Sequence, residues 1–170
     1  PWPREIFAKA ITQLENFSPK AVGLDVILSE KSRFGVGDDL NLKKVIDSIS
    51  FPLILPIEFE SLSLTGLTPT AVSFTETLKE FSGSANKNIS IGHVNLIADR
   101  DSVVRKVPLS VLINNKIVNS LSQEVVLRSG LVSEDILKLN PVERIVYSGG
   151  RGTVRQIPFW RLFDESINID

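Results

Sequence analysis

Residues 20–30, KAVGLDVILSE, gather Ala21, Val22, Leu24, Val26, Ile27 and Leu28 into one short stretch that is apolar on both faces. A strand with one wet face alternates, whereas one that reads apolar throughout is covered on two sides, as in the centre of a parallel sheet. Upstream, Ile6, Phe7, Ala10, Ile11, Leu14 and Phe17 recur at helical spacing, with Pro3 suited to a first turn and Ser18-Pro19 ending the pattern. Downstream, a polar loop through Gly35 and Gly37 leads to DDLNLKKVIDSIS. There Asp38 or Asp39 is placed to cap a helix burying Leu42, Val45, Ile46 and Ile49, and PLILPIEFE follows as a second strand. Helix, strand, helix, strand in succession predicts a parallel pair with a right-handed crossover. The expected fold is α/β: a layered domain with a mixed, partly parallel sheet flanked by helices and one β-hairpin.

Residues 61–70 mix Ser, Thr, Leu, Gly and Pro without a period and read as a loop, and TETLKEFS reads as a short helix. Ile89 to Ile97 and Val103 to Ile113 are strand-like stretches separated by ADRDS, which suggests the hairpin. Asn114-Asn115 makes a second tight turn, after which Val118, Leu121, Val125 and Val126 fall at helical spacing with Gly130 as the stop. RIVYSGG reads as one more strand, and SGGRG at 148–152 as a flexible turn. Ile157 to Phe163 crowds Phe159, Trp160, Leu162 and Phe163 together, too apolar for an exposed tail, so it is expected to dock on the core or on another segment.

A length of 170 residues with 42% hydrophobic residues suits one domain with a sizeable core, and the chain is read as a single domain over 1–170. A net charge of -1, with lysines and arginines scattered among as many acids, leaves no electrostatic footprint for nucleic acid. The absence of cysteine excludes disulfides and thiolate chemistry and is compatible with an oxidising compartment such as the bacterial periplasm. Apolar runs are too short for a membrane span or a secretory signal, and the abrupt Pro1-Trp2-Pro3 start reads like a segment excised from something longer.

Asp25 is the least expected residue, because an unpaired carboxylate at a buried strand position costs several kcal/mol or shifts its pKa. Ligands of parallel α/β sheets bind beyond the carboxyl ends of strands, where Asp25, Ser29 and Glu30 would lie. The alternative is that Asp25 caps a neighbouring helix or pairs with an arginine such as Arg4. In ADRDSVVR, the spacing of Asp99 and Asp101 also resembles the first motif of the haloacid-dehalogenase phosphohydrolases, which would make the pair a Mg²⁺-dependent nucleophile and acid/base. Only 69 residues follow Asp101, however, and VVRKVPL alternates like a hairpin arm. A turn explains the same letters, with Arg105 reaching back to Asp99 or Asp101 as a structural clip. His93 stands without the further histidines or cysteines of a transition-metal site, and no spacing resembles an EF-hand, a P-loop, GxSxG or GxGxxG. No metal and no cofactor are expected.

WPR at 2–4, KAVGLDVILSE at 20–30, DDLNLKKVI at 38–46, GHVNLIADRDSVVRKVPL at 92–109, SLSQEVV at 120–126, RIVYSGG and the closing IPFWRLF occur in an order that resembles the second CHASE family. These CHASE type 2 domains are extracellular sensory domains of bacterial receptors. The family pattern has glycine after D-x-D, where Ser102 stands here, and residues 60–88 carry no matching feature. The resemblance implies a non-enzymatic, extracytoplasmic (periplasmic) input module of an inner-membrane receptor, its parent chain anchored by transmembrane helices and feeding a kinase, a nucleotide cyclase or a cyclic-dinucleotide enzyme. It implies an unknown small-molecule or ionic signal, and a homodimer in the full-length receptor. The residues expected to respond to the ligand are Asp25, Ser29, Glu30, His93 and Asn95, with Asp99, Asp101 and Arg105 structural. Output is expected through the N-terminal helix and the Phe159 to Phe163 segment. The phosphohydrolase and a ligand-free assembly module are the alternatives.

Overall fold

The computed structural model describes residues 2–64, 66–133, 140–146, 149–150 and 152–163. In chain order the elements are α1 (Arg4–Glu15), β1 (Val22–Gly23), α2 (Val36–Ser48), β2 (Leu53–Phe59), β3 (Leu62–Ser63), β4 (Thr70–Ala71), β5 (Phe74–Glu76) and α3 (Lys79–Ser82). They continue with β6 (Ile89–His93), β7 (Ile97–Ala98), β8 (Val104–Pro108), β9 (Ser110–Ile113), β10 (Lys116–Asn119), α4 (Leu121–Arg128), β11 (Val142–Arg144) and the 3₁₀ turn η1 (Phe159–Phe163). Helices and mixed parallel and antiparallel sheets make a layered α/β fold, as the helix and strand periods predict.

The central strand is β2, buried at every residue except Glu58. It pairs in parallel with β1 on one side (Val22 opposite Leu53) and with β6 on the other (Leu53 opposite Ile89, through Ile57 opposite His93). Antiparallel β5 pairs with the far end of β2 itself, Ile57 opposite Glu76. The expected parallel pair therefore forms, but KAVGLDVILSE is not the central strand. Only Val22 and Gly23 are paired, at the sheet edge. The run is apolar for another reason: Leu28 is buried in the core with Leu24 packed against it, while Val26 is exposed.

Two layers sandwich this sheet. On one face α1 and α2 pack together over Leu53 and Leu55, burying Phe7, Ile11, Leu42, Ile46 and Phe81. Phe17 falls beyond the end of α1 and is exposed, contrary to its place in the helical spacing. Gly23 and Gly92 lie opposite Ile54 and Pro56, on the other face, and there α4 is seated. A Cβ on Gly92 would lie 2.7 Å from the Leu121 Cα. The helix approaches so closely that only hydrogen fits. Ser120 caps α4 by accepting from the Gln123 amide, and Gly130, at φ 65°, follows its C-terminus. Val118, expected within this helix, lies in β10 instead, because the Asn114-Asn115 turn (φ 49° and 59°) folds Lys116–Asn119 back on β9.

The second sheet, ordered β10-β9-β4-β3, presses Val111 and Ile113 against Ile57 and Phe59. Residues 61–70, read as a loop, thus contribute β3 and the start of β4. The third sheet is β11-β8-β7, in which the ADRDS turn joins β7 to β8. The hairpin forms with a far shorter first arm than expected, since Ile89 to His93 belong to the parallel sheet. Among the described residues of RIVYSGG only Arg144 is in a strand; residues 147–148 and part of SGGRG lie outside the described residues. η1 docks on α1, Phe159 lying 6.2 Å from Phe7 and 5.2 Å from Trp2 between ring centroids.

Gly92→Ala is expected to lower unfolding stability by about 1–3 kcal/mol, the cost of overpacking against backbone. Gly37→Ala, on α2 with nothing within 4 Å of the added methyl, is expected to be neutral or to gain up to about 1 kcal/mol. Urea unfolding of both variants checks the seat of α4.

Candidate functional site

The polar centre of the molecule is built where α1 begins. Helix starts leave backbone N–H groups unpaired, and Pro3, the N-cap residue of α1, has no side chain to accept them. Asp38, in the first turn of α2, does so across space: its carboxylate accepts from the amides of Arg4 at 2.7 Å and Glu5 at 2.8 Å, and from the Ser32 hydroxyl. Burial alone would raise the Asp38 pKa, but the Ser32 hydroxyl, those two amides and the Arg4 charge outweigh it and hold the carboxyl below its usual range. Asp39 takes the guanidinium itself. Arg4 Nε donates to Asp39 Oδ1 at 3.3 Å, Arg4 Nη2 donates to the Glu30 carbonyl, and the Ser32 amide donates to Asp39 Oδ2 at 3.0 Å.

Neither aspartate is therefore the N-cap of its own helix, a role that falls to Gly35. Arg4 pairs with Asp39 and not with Asp25, which is exposed on the irregular stretch after β1. Asp25, expected to be buried within the apolar run, is exposed, and the buried acid is Asp39 on α2. The clue was the doubled Asp38-Asp39 at a helix start where a single cap would serve.

Against this knot opens a cleft of about 290 Å³ lined by Trp2, Arg4, Ile27, Ser29, Glu30, Lys31, Ser32, Arg33 and Phe34. Of the five ligand candidates it gathers Ser29 and Glu30, and its walls supply cationic groups, hydroxyls and two aromatic faces. Lys31 is turned to Glu80, and the Arg33 guanidinium lies 4.9 Å over the Phe34 ring. Lys31, Ser32 and Arg33 were not singled out in the sequence, because nothing in their spacing shows that the loop folds back on α1.

His93 and Asn95 lie elsewhere, at the end of β6. Asn95 presents its amide to the backbone of β2, accepting from the Phe59 N–H and donating to the Phe59 C=O, both at 2.8 Å. It extends the sheet where the strand has ended. His93 is 1% exposed, its ring 5.5 Å from that of Phe59, and neither ring nitrogen has a hydrogen-bond partner among the described residues. Burial without a partner disfavours the charged ring and lowers its pKa to about 4.

At the hairpin Arg105 Nη1 donates to Asp99 Oδ2 at 3.0 Å and to Asp101 Oδ1 at 2.9 Å. The Arg105 hydrogen bond, followed by the Val103 amide, holds the Asp101 carboxyl low. Ser102, at φ 63°, sits in the left-handed region, which accounts for the glycine that the family pattern carries there. Asp99 also lines an open groove of about 410 Å³ with Leu64, Pro69, Ile97, Lys106 and Val142. Among the described residues no group of three or more His, Cys, Asp or Glu is arranged to hold a metal ion, and no helix is long and apolar enough to cross a membrane.

His93 gives the stability of the fold a pH dependence. Its folded pKa lies below the unfolded value of 6.5, so the unfolded chain binds the proton first and stability rises with pH between the two values. The stability should be complete above pH 6.5 and fall by about 3 kcal/mol as the pH approaches 4, at 1.36 kcal/mol per unit. Urea unfolding at stepped pH checks this, and His93→Phe should flatten the dependence in that window.

No curated protein and no solved structure matched the chain. The family model for the CHASE2 domain matches residues 1–169. The order of motifs, the layered α/β fold and this match agree, and the chain belongs to the CHASE2 family of extracellular sensory domains of signalling receptors.

Proposed function

We propose that residues 1–170 act as one signal-input unit of a membrane-anchored bacterial receptor, on its extracytoplasmic side, and bind a small polar ligand or ion in the cleft beside Ser29 and Glu30. The observation that carries this reading is that one residue, Arg4, both lines the cleft and opens α1. A ligand that displaces Glu30 or Ser32 also moves the partners of Arg4, Asp38 and Asp39, and so acts on the first turn of α1 and on η1 packed beside it. A signal changes such an equilibrium only by binding its two states unequally. A contact shared by the cleft and the helix start supplies that inequality. Beyond the membrane we propose a kinase or a nucleotide cyclase as the output, with two receptors paired so that tethered domains meet at high effective concentration.

Ser29 and Glu30 are the ligand residues in this proposal. The geometry lends less to Asp25, which is absent from the cleft lining, and to His93 and Asn95, one buried and the other engaged with β2. Asp99 and Asp101, both held by Arg105, serve as a clip in this reading and not as a phosphohydrolase pair.

A thermal-shift screen of metabolites and ions tests the proposal, since a ligand of the folded state raises the apparent Tm. A compound that stabilises the chain, with the shift reduced at least about tenfold in apparent affinity by Glu30→Gln or Ser29→Ala, a loss of the size a charged hydrogen bond carries, is the expected result. A stabiliser indifferent to both variants would place the ligand elsewhere. The absence of any stabiliser would favour a ligand-free assembly module, and Mg²⁺-dependent phosphatase turnover abolished by Asp99→Asn would restore the enzyme reading.

A further inference from the structure

We infer that the groove between the ADRDS hairpin and the segment joining β3 to β4 is a second binding site, one that takes a small organic anion with an apolar body. The groove holds about 410 Å³, a size suited to a small molecule, and Leu64, Pro69, Ile97 and Val142 supply its apolar walls. Arg100 and Lys106 line it with them. The strand register adds a third cation. Lys106 stands opposite Ile97 on β7 and opposite Arg144 on β11, and residues directly opposite in an antiparallel pair share a face. Arg144 is two residues beyond Val142 on the same strand, hence on the face that lines the groove.

The chain does not balance the charge of this face. Like charges directly opposite across antiparallel strands repel, and Lys106 and Arg144 are so placed. Among the described residues the side chains of Arg100, Lys106 and Arg144 have no hydrogen-bond or ion-pair partner. The carboxylate that lines the groove, Asp99, accepts from Arg105, as does Asp101. Glu143 lies opposite Val107, on the other face of β11, and accepts from the amide and the side chain of Asn140. Glu134 and Asp135 lie outside the described residues. An anion laid along Arg100, Lys106 and Arg144 relieves the repulsion, and guanidinium forks suit carboxylate and phosphate oxygens alike. Its apolar body covers Ile97 and Val142. The groove shares no lining residue with the cleft beside Ser29 and Glu30.

Amide chemical shifts of the isotope-labelled 170-residue chain, titrated with phenyl phosphate, benzoate, inorganic phosphate and benzylammonium, test the inference. Phenyl phosphate or benzoate is expected to move the amides of Ile97, Arg100, Lys106 and Val142 saturably, the tighter of the two identifying the headgroup. Inorganic phosphate, lacking the apolar body, should bind more weakly, and benzylammonium should not bind. Lys106→Gln/Arg144→Gln should weaken the anion at least about tenfold, the loss of charged hydrogen bonds, while Glu30→Gln leaves it unchanged. Without any probe, Lys106→Gln should hold or raise the Tm, because it removes a repulsion. No movement at these amides, equal movement with benzylammonium, or binding indifferent to the double variant would overturn the inference. So would a lower Tm for Lys106→Gln, the sign that an acid of the chain, Glu134 or Asp135 among them, already holds this cation.

Discussion

Arg4 and Asp39 are 8% and 3% exposed, and each satisfies the other in a place where neither charge would be tolerated alone. A buried ion pair is weak evidence for net stability, because the cost of removing two charges from water offsets their attraction. Its value lies in specificity. An arginine at the start of α1, an aspartate in the first turn of α2 and the loop between Glu30 and Ser32 can be satisfied together in one arrangement, and the packing of α1 on α2 is set by it. Asp38 reinforces this by capping α1 from the other helix. The cleft and the start of α1 therefore share one polar junction.

That arrangement suits a sensory domain. The interior of the sheet is held by fully buried apolar contacts along β2, which have no reason to respond to a small polar signal. The junction is polar and borders an open cleft, where the proposed ligand would compete directly with its hydrogen bonds. The tilted rings of Trp2, Phe7 and Phe159 join this end of α1 to η1, the route along which the proposal sends the signal. His93 serves a different end: its ring fills space beside Phe59 where the first and second sheets meet, and its nitrogens, without a partner among the described residues, make that region sensitive to acid.

The fold class was legible because helical spacing in residues 4–14, the buried strand at 53–59 and the Asn114-Asn115 turn are local signals that the tertiary structure obeys. The site was less legible, and the failure has a physical cause. Apolarity in residues 20–30 marks burial without saying against what, so a segment plugging the helical core was indistinguishable from a central strand. Asp25 drew attention through that error, while the acid that is buried, Asp39, stood in a polar stretch and looked solvated. Likewise nothing local shows that Asn95 substitutes for a strand residue, or that Asn86 donates to the carbonyls of Ile46 and Ile49 at the end of α2. Such pairings join positions about 35 to 40 residues apart, and only the folded chain brings them together.

The central claim is that the pairing of Arg4 with Asp39 organises this end of the domain. Urea unfolding of Asp39→Ala beside Asp25→Ala tests it most directly. The account predicts a loss of about 3–5 kcal/mol for Asp39→Ala, because a buried guanidinium is left unpaired, and a change within about 0.5 kcal/mol for the exposed Asp25→Ala. A small effect at Asp39, or an equal one at both positions, would contradict it.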